Sequence, residues 1–332
     1  MRKELTQWLV CPACHSALTW TARKTVGREI LEGTASCTQC RTHYPIHDGV
    51  GAFKARDQTA EDLWEEADTG IQALLREEPR KVRRLLNAPV DGMNPSDLLL
   101  RGFILESTQG LRAAKPVIDL ALERLYSPET HRASRSQMQF VRSHLRGRPG
   151  FVVDLASGRG SLLEFLLPGT RRQFVATDMS PRVLRGDLQR LREIGFGPRI
   201  SALAFDARQS PFADQSVPTL VTNVGLMNIK NPGGLLRELR RIVSGTFFAI
   251  TAFYPEKEGP NSKAIRELGL VPLLHRRSAL REFRAAGFSA RVCNFRKART
   301  RPTPEGEIMK GFQPDRLPVV DTELGWCTIV AE

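Results

Sequence analysis

The chain has 332 residues, of which 41% are hydrophobic and 26% are charged, and its formal net charge at pH 7 is +13. This length and composition predict a globular protein with a buried core, divided into two or three units. No run of about 18 apolar residues is present, and the first residues lack the apolar stretch of a signal peptide. We therefore expect a cytoplasmic protein that does not contact a membrane.

Four of the six cysteines form two pairs near the N-terminus. Cys11 and Cys14 make one C-x-x-C pair, and Cys37 and Cys40 make the other. Each pair presents two thiolates from a tight turn, and two pairs complete a tetrahedral zinc shell with no position left for water. Disulfide pairing is the alternative, but it is rare in the cytoplasm. The pattern favours a structural zinc ribbon over residues 1–55.

The residues that follow the ribbon, 56–147, predict a helical segment. An acidic turn follows Thr59, a candidate N-cap. A second helix is expected to begin at residues 95–97 and to run through Leu125, because apolar residues recur there at steps of three and four. Residues 87–92 contain proline and glycine and indicate the break between the two helices.

A glycine-containing turn follows a short β-branched stretch in the middle of the chain. Asp154 ends that stretch, and Gly158 and Gly160 lie in the turn before a helix-like segment. A strand that turns into a helix over glycines lets backbone N–H groups approach a nucleotide-like cofactor. When the dinucleotide fingerprint is aligned on Gly158 and Gly160, Leu163 stands where it needs a third glycine. A nicotinamide cofactor is therefore disfavoured.

Three further strand ends follow this loop. The second strand ends at Asp178, whose carboxylate can accept hydrogen bonds from both hydroxyls of a ribose. The third strand leads into Asp206 and Ala207. The sequence Ser-Pro-Phe-Ala-Asp at 210–214 then precedes an apolar fourth strand that ends at Asn223.

In this order the motifs resemble those of the class I S-adenosylmethionine (SAM) dependent methyltransferases. The resemblance spans about residues 148–254 and implies a methyltransferase domain over 148–332. It implies an α/β, Rossmann-like sheet of seven strands whose last strand is antiparallel. It also implies SAM as the cofactor. Gly158 and Gly160 would let the loop wrap its methionine part, and Asp154 would position the amino group. Asp178 would hold the ribose hydroxyls, and Asp206 and Ala207 would contact the adenine. The other residues implied at the cofactor are Ala156, Met179 and Asn223.

The N-terminal segment carries a resemblance of its own. Its two cysteine pairs and the sequence Tyr-Pro-Ile-x-Asp-Gly at 44–49 resemble the small zinc-ribbon activator that partners RNA and protein methyltransferases. This resemblance supports the methyltransferase interpretation independently of the glycine loop. It does not identify a substrate, because such ribbons either bind substrate or brace the catalytic domain.

The acceptor of the methyl group is less sharply indicated. The residues after the fourth strand resemble the ubiquinone-biosynthesis type of small-molecule methyltransferase. Met227 and Asn228 stand where that type carries histidines, so no general base can be transferred from the resemblance. By their location, Asn223, Tyr254 and Tyr126 are candidates for the acceptor side.

Three hypotheses follow. The preferred one is methyl transfer to an oxygen, nitrogen or carbon atom of a small molecule. The second is methylation of a ribosomal or transfer RNA base, with phosphates bound by segment 276–301, which holds nine basic residues and one acid. An arginine-rich composition, 39 Arg against 10 Lys, would produce such a segment without any ligand. The third is a non-catalytic or protein-directed module.

Overall fold

A computed structural model describes residues 1–54, 62–147 and 149–332. The strands within these ranges form one sheet. Their bounds are β1 (Leu18–Val26), β2 (Glu29–Cys37), β3 (His43–His47), β4 (Val50–Ala52), β5 (Val152–Asp154), β6 (Phe174–Asp178), β7 (Ile200–Ala204), β8 (Val217–Asn223), β9 (Val243–Phe253), β10 (Ala290–Thr300) and β11 (Thr322–Ala331).

Helices cover both faces of the sheet and fill the segment between the ribbon and β5. Among those described, none combines the length and the hydropathy that a membrane crossing requires. Their bounds are α1 (Leu63–Glu77), α2 (Pro79–Asn87), α3 (Pro95–Gln109), α4 (Leu111–Leu125), α5 (Pro128–Leu145), α6 (Ser161–Leu166), α7 (Pro181–Glu193), α8 (Pro232–Ile242), α9 (Pro260–Glu267), α10 (Val271–Leu274) and α11 (Arg276–Ala285).

The strand order is β1-β2-β3-β4-β7-β6-β5-β8-β9-β11-β10. Strands β7, β6, β5, β8 and β9 are parallel, and the last strand of the chain, β11, lies antiparallel between β9 and β10. The predicted α/β, Rossmann-like class with an antiparallel last strand is therefore confirmed. Strands β5 to β7 are buried throughout, because helices cover both of their faces.

The ribbon extends this sheet instead of standing apart from it. Strand β4 runs parallel to β7, with Val50 opposite Ala202. The backbone N–H of Phe53 continues the ladder by donating to the carbonyl of Ala204 at 2.7 Å. The side chains of Tyr44, Phe53 and Phe205 share one hydrophobic core. Pairing between such distant segments leaves no local pattern, so the sequence did not indicate this junction.

The helical segment contains more breaks than the sequence predicts, because its described residues form five helices where two are expected. The expectation of a single helix from residue 95 to Leu125 is wrong, because the chain turns at Gly110, whose φ is +86°. Helices α3 and α4 then pack closely, since a Cβ at Gly102 would lie 2.6 Å from the side chain of Ile118. The predicted cap Thr59 lies outside the described residues, and Asp62 caps α1 by accepting from the backbone of residues 64 and 65.

The segment between β10 and β11, residues 301–321, is called the excursion below. It begins after β10 ends at Thr300. The excursion crosses α3, where the buried carboxylate of Asp97 accepts hydrogen bonds from three successive backbone N–H groups. The donors are Glu307 and Ile308, each at 2.8 Å, and Met309 at 3.0 Å.

Candidate cofactor cavity and metal centre

The two cysteine pairs meet in one cluster. The four Sγ atoms of Cys11, Cys14, Cys37 and Cys40 all lie within 4.8 Å of one another. The Cys11–Cys40 and Cys14–Cys37 Sγ distances are both 3.5 Å, and the backbone N–H groups of Gln39 and Cys40 point to the Cys37 sulfur at 3.4 Å. Four sulfurs placed tetrahedrally at about 2.3 Å from a zinc ion would lie about 3.8 Å apart. The donor set therefore fits a structural zinc ion.

The cluster is linked to the core by an aromatic side chain. The hydroxyl of Tyr44 lies 3.1 Å from the sulfur of Cys11, and the Tyr44 ring stacks on Phe53 at a centroid distance of 5.3 Å. Burial raises the pKa of the Cys11 thiol to about 12, and the Tyr44 contact opposes this shift. Hydrogen bonds from Ser16 lower the pKa of Cys14 to about 6. Thus one side of the cluster faces the core, and the other faces solvent.

A cavity of about 460 Å³ lies at the carboxyl ends of β5, β6 and β7. This volume is within the range of cofactor and small-molecule sites, and the position is the usual one in parallel α/β sheets. Helix α1 and the excursion complete its walls. The predicted cofactor residues that line it are Ala156, Gly158, Asp178, Met179, Asp206 and Ala207.

The glycine loop needs its glycines for two different reasons. Gly158 has a φ of +52°, and a Cβ there would lie 3.1 Å from the ring of Trp64. Gly160 has a φ of +67°, and a Cβ there would lie 2.2 Å from a carboxylate oxygen of Asp187. Gly158 thus forms a cavity wall, whereas Gly160, which does not line the cavity, lets the loop pack on α7.

Asp178 faces the cavity at the end of β6. Its Oδ2 accepts from the backbone N–H of Gly158 at 2.9 Å, and its Oδ1 accepts from that of Ser180 at 3.3 Å. Burial raises the pKa of this carboxyl, and the backbone hydrogen bonds from Gly158, Ser180 and Met179 oppose the shift. Because each carboxylate oxygen can accept a second hydrogen bond, the group can also bind a ribose diol.

Asp206 is oriented by a neighbour that the sequence analysis did not anticipate. The guanidinium of Arg208 holds both carboxylate oxygens, with Nε–Oδ1 and Nη2–Oδ2 distances of 3.0 and 2.7 Å. The backbone N–H of Arg208 also donates to Oδ1 at 2.9 Å. This tight turn fixes the carboxylate at the cavity wall beside Ala207, in the position expected for adenine recognition.

Two of the predicted contacts, Asp154 and Asn223, do not line the cavity. Both carboxylate oxygens of Asp154 and Oδ1 of Asn223 are buried without a hydrogen-bond partner in the described part of the chain. Burial raises the pKa of Asp154 well above its usual range, and the charges of Asp187 and Asp178 add to the shift. Buried acceptors of this kind are normally satisfied by a ligand or by ordered water. The contact of Asp154 with the SAM amino group stays a prediction.

Helix α1 covers the cavity through an aromatic and charged contact. The guanidinium of Arg159 lies between the rings of Trp64 and Phe103, at 4.5 and 4.6 Å from their centroids. Its Nε donates to Glu106 at 2.8 Å. Trp64 lines both the cofactor cavity and a second cavity of about 400 Å³, called the cap groove. The apolar side chains that line the groove are Ile71, Leu74, Leu100, Phe103, Met309 and Phe312.

One acceptor-side candidate, Tyr126, contacts a residue that the sequence analysis missed. Asp315, in the excursion, lines the cofactor cavity. Its Oδ2 accepts a hydrogen bond from the hydroxyl of Tyr126 at 3.0 Å. Burial raises the pKa of Tyr254, and the charge of Asp315 adds to that shift. Asn223 is not part of this group. No periodic signal marks Asp315, because a loop brings it to the site.

Comparisons with known proteins agree with both resemblances. Residues 153–248 match the family described as methyltransferase domain, and residues 2–49 match the family described as Trm112p-like protein. The chain therefore joins a methyltransferase fold to a zinc ribbon. With the cavity and the cysteine cluster, these matches identify SAM as the cofactor and zinc as the structural ion.

The curated relatives are similar over a limited stretch. The ubiquinone/menaquinone biosynthesis C-methyltransferase UbiE of Shewanella frigidimarina is 31% identical over 99 residues, which is 29% of this chain and 39% of that protein. The same enzyme of Shewanella oneidensis is 29% identical over a stretch of the same length. The chain thus spans about two fifths of the length of these relatives.

Two solved structures are similar at low sequence identity. The YcgJ protein from Bacillus subtilis has a TM-score of 0.47 and 13% identity, covering 59% of this chain and 97% of that one. Geranyl diphosphate C-methyltransferase from Streptomyces coelicolor A3(2) has a TM-score of 0.45 and 17% identity, covering 61% and 80%.

Proposed function

We propose that this chain, in which a methyltransferase domain is joined to a Trm112p-like zinc ribbon, transfers the methyl group of SAM to a small molecule. The observation that carries the proposal is the cavity at the strand ends, which the glycine loop, Asp178 and Asp206 line together. When bound, SAM supplies a methyl group activated by a sulfonium. The chain has to bind and orient the two reactants and to exclude water from them.

Each of these tasks falls to a described group. The loop at Gly158 allows close approach of the cofactor to the backbone, and Asp178 would accept from the ribose hydroxyls. Asp206, held by Arg208, would accept from the adenine amino group. Trp64 closes the cavity above the loop. Methyl transfer depends mainly on such in-line positioning, which is worth several kcal/mol of the barrier.

The cap groove supports a small acceptor with an apolar body. It shares Trp64 and Ala67 with the cofactor cavity, so a molecule in the groove would lie next to bound SAM. Its volume of about 400 Å³ is in the range of small-molecule sites. The two UbiE relatives bear names that place them in quinone biosynthesis, which agrees with an acceptor of this kind.

Calorimetry of SAM binding to the zinc-loaded protein tests the proposal. We expect wild-type protein and the control Asp91→Ala, which alters an exposed turn, to bind SAM alike. Asp178→Ala should weaken binding by about tenfold or more, because hydrogen bonds to a charged group are lost. Wild-type protein that binds no SAM would refute the proposal and favour a non-catalytic module.

RNA remains the second prediction for the acceptor. Segment 276–301 forms α11 and the edge strand β10, and Arg277 is 92% exposed there. Several of its basic groups have acidic partners, such as Glu256 for Arg277 and Glu323 for Lys297. Basic side chains on an edge strand also prevent pairing with other chains. Binding of transfer RNA that weakens steeply with added salt would favour this acceptor.

A further inference from the structure

We propose that Asp315 binds the acceptor at an ionisable hydroxyl group, a phenol or an enol, and takes its proton when the methyl group is transferred. This inference rests on the proposed function. It adds the chemical class of the acceptor and the group that receives the proton.

The first argument is a comparison of the carboxylates that line the described cavity. Asp62 caps α1, Asp178 accepts from two backbone N–H groups, and Asp206 is held by Arg208. Asp315 instead accepts from a single phenol hydroxyl, that of Tyr126. Among the lining carboxylates described, Asp315 is thus the one whose hydrogen bonds come from neither the backbone nor a cation. Its oxygens can accept further hydrogen bonds, so it can bind a hydroxyl group of the substrate that is methylated.

The second argument is that the carboxylate is held in place. The backbone N–H of Asp315 donates to the hydroxyl of Thr303 at 3.2 Å, within the excursion. The amide of Gln313 donates to the carbonyl of Thr303 at 2.7 Å. Asp97 fixes the same segment on α3. A proton acceptor positioned in this way does not have to be ordered when the substrate binds.

The third argument is electrostatic. Burial raises the pKa of Asp315, and the hydrogen bond from Tyr126 opposes this shift. Burial and the charge of Asp315 also raise the pKa of Tyr254, and the other charged groups that line the same cavity are Asp62, Asp178, Asp206, Arg208 and Lys230. A carboxylate whose pKa is raised is a stronger base than an ordinary one at a pH where it is still ionised. Tyr126 is therefore a positioning residue that also tunes the base.

The transfer step balances without any other reactant. The hydroxyl oxygen forms a bond to the methyl carbon while the bond from carbon to sulfur breaks, and sulfur keeps that electron pair. The proton of the hydroxyl passes to the Asp315 carboxylate and then to solvent. The products of this step are the methyl ether and S-adenosylhomocysteine. If an enol reacts at carbon instead, that carbon forms the bond to the methyl group, the electron pair of the O–H bond forms the carbonyl as the proton passes to Asp315, and the products are the C-methylated ketone and S-adenosylhomocysteine.

Binding of simple phenols to the full zinc-loaded chain tests this inference. The probes are 4-nitrophenol, catechol and hydroquinone, added to protein saturated with S-adenosylhomocysteine. The variants are Asp315→Asn, Tyr126→Phe and the control Asp91→Asn. We expect Asp315→Asn to weaken phenol binding by about tenfold or more and to weaken S-adenosylhomocysteine binding by a clearly smaller factor.

The pH dependence separates a functional role of Tyr126 from a structural one. Phenol binding needs the ionised carboxylate, so it falls as the pH falls through the pKa of Asp315. Tyr126→Phe removes the hydrogen bond that lowers this pKa, so the midpoint of the loss should move to higher pH. A merely structural role of Tyr126 would leave the midpoint unchanged.

The outcomes are distinguishable. If the wild-type protein does not bind S-adenosylhomocysteine, the proposed function itself fails. If it does bind but none of the three phenols binds, or if Asp315→Asn binds them as well as wild type does, the assignment of Asp315 is overturned and the proposed function stands. An unchanged midpoint in Tyr126→Phe overturns the tuning role of that residue.

Discussion

Replacing Asp97 with asparagine should release the excursion from α3. The carboxylate is 1% exposed, and three successive backbone N–H groups donate to it. An asparagine has a single acceptor oxygen at this position. If that oxygen faces Glu307 and Ile308, the side-chain amide group is turned towards the N–H of Met309, and two donors meet.

The magnitude follows from these contacts. A hydrogen bond to a charged group contributes about 1.5 to 3 kcal/mol net. The substitution removes one such bond completely and makes the other two bonds neutral. We therefore expect a loss of about 3 kcal/mol in the free energy that holds the excursion on α3. Because the excursion can detach before the sheet unfolds, only part of this loss should appear in global unfolding.

Hydrogen exchange with mass spectrometry checks the local effect, and urea unfolding checks the global one. Exchange in peptides from residues 303–316 should become about a hundredfold faster in Asp97→Asn, which corresponds to about 3 kcal/mol. The control is Asp119→Asn on the adjacent helix α4, where the carboxylate is 56% exposed and pairs with Lys115. This change should cost less than about 0.5 kcal/mol.

Unchanged exchange in the excursion of Asp97→Asn would refute this reasoning, because it would show that the three hydrogen bonds do not hold the segment. Equal acceleration in Asp97→Asn and Asp119→Asn would attribute the effect to lost negative charge. Phenol binding should weaken together with the faster exchange, since the same segment carries Asp315.

Three further predictions concern the ribbon and the glycine loop. Cys37→Ser should abolish stoichiometric zinc in metal analysis, whereas Cys293→Ser, outside the cluster, should retain it. Gly160→Ala should lower the free energy of unfolding by more than about 2 kcal/mol and weaken SAM binding. The control is Gly27→Ala, because Gly27 has a similar positive φ but no atom within 4 Å of the added carbon. This control should lower the free energy of unfolding by only about 1 kcal/mol. Burial raises the pKa of Asp187 to about 6, so its contribution to stability is present below about pH 4 and is lost as the pH rises through about 6. The stability lost between about pH 4 and pH 6 is at most about 3 kcal/mol. Urea unfolding at these two pH values should show a weaker pH dependence for Asp187→Asn than for wild type.

The residues that the sequence analysis groups together and the structure brings to one place are those in which chemistry and local structure coincide. Asp178 and Asp206 each follow a short apolar strand, and the carboxyl ends of parallel strands meet at one edge of a sheet. The cysteine pairs are predictable for a similar reason, because each C-x-x-C turn places its own two ligands.

The parts that the sequence does not predict depend on contacts between distant segments. Gly110 breaks a helix although the apolar spacing continues across it, and only its φ of +86° reveals the turn. Asp315 reaches the cavity because Asp97, more than two hundred residues earlier, binds the loop that carries it. The pairing of β4 with β7 likewise has no local signal.

That pairing has a consequence for solubility. Strand β7 would be an edge strand of the sheet if the ribbon were absent, and its five residues from Ile200 to Ala204 are all buried. An unpaired, flat, apolar edge strand can pair with strands of other molecules. The ribbon replaces it with β1, which is mostly exposed and whose register shifts around Lys24. By keeping the ribbon folded, the zinc ion would therefore also keep separate copies of the protein dispersed.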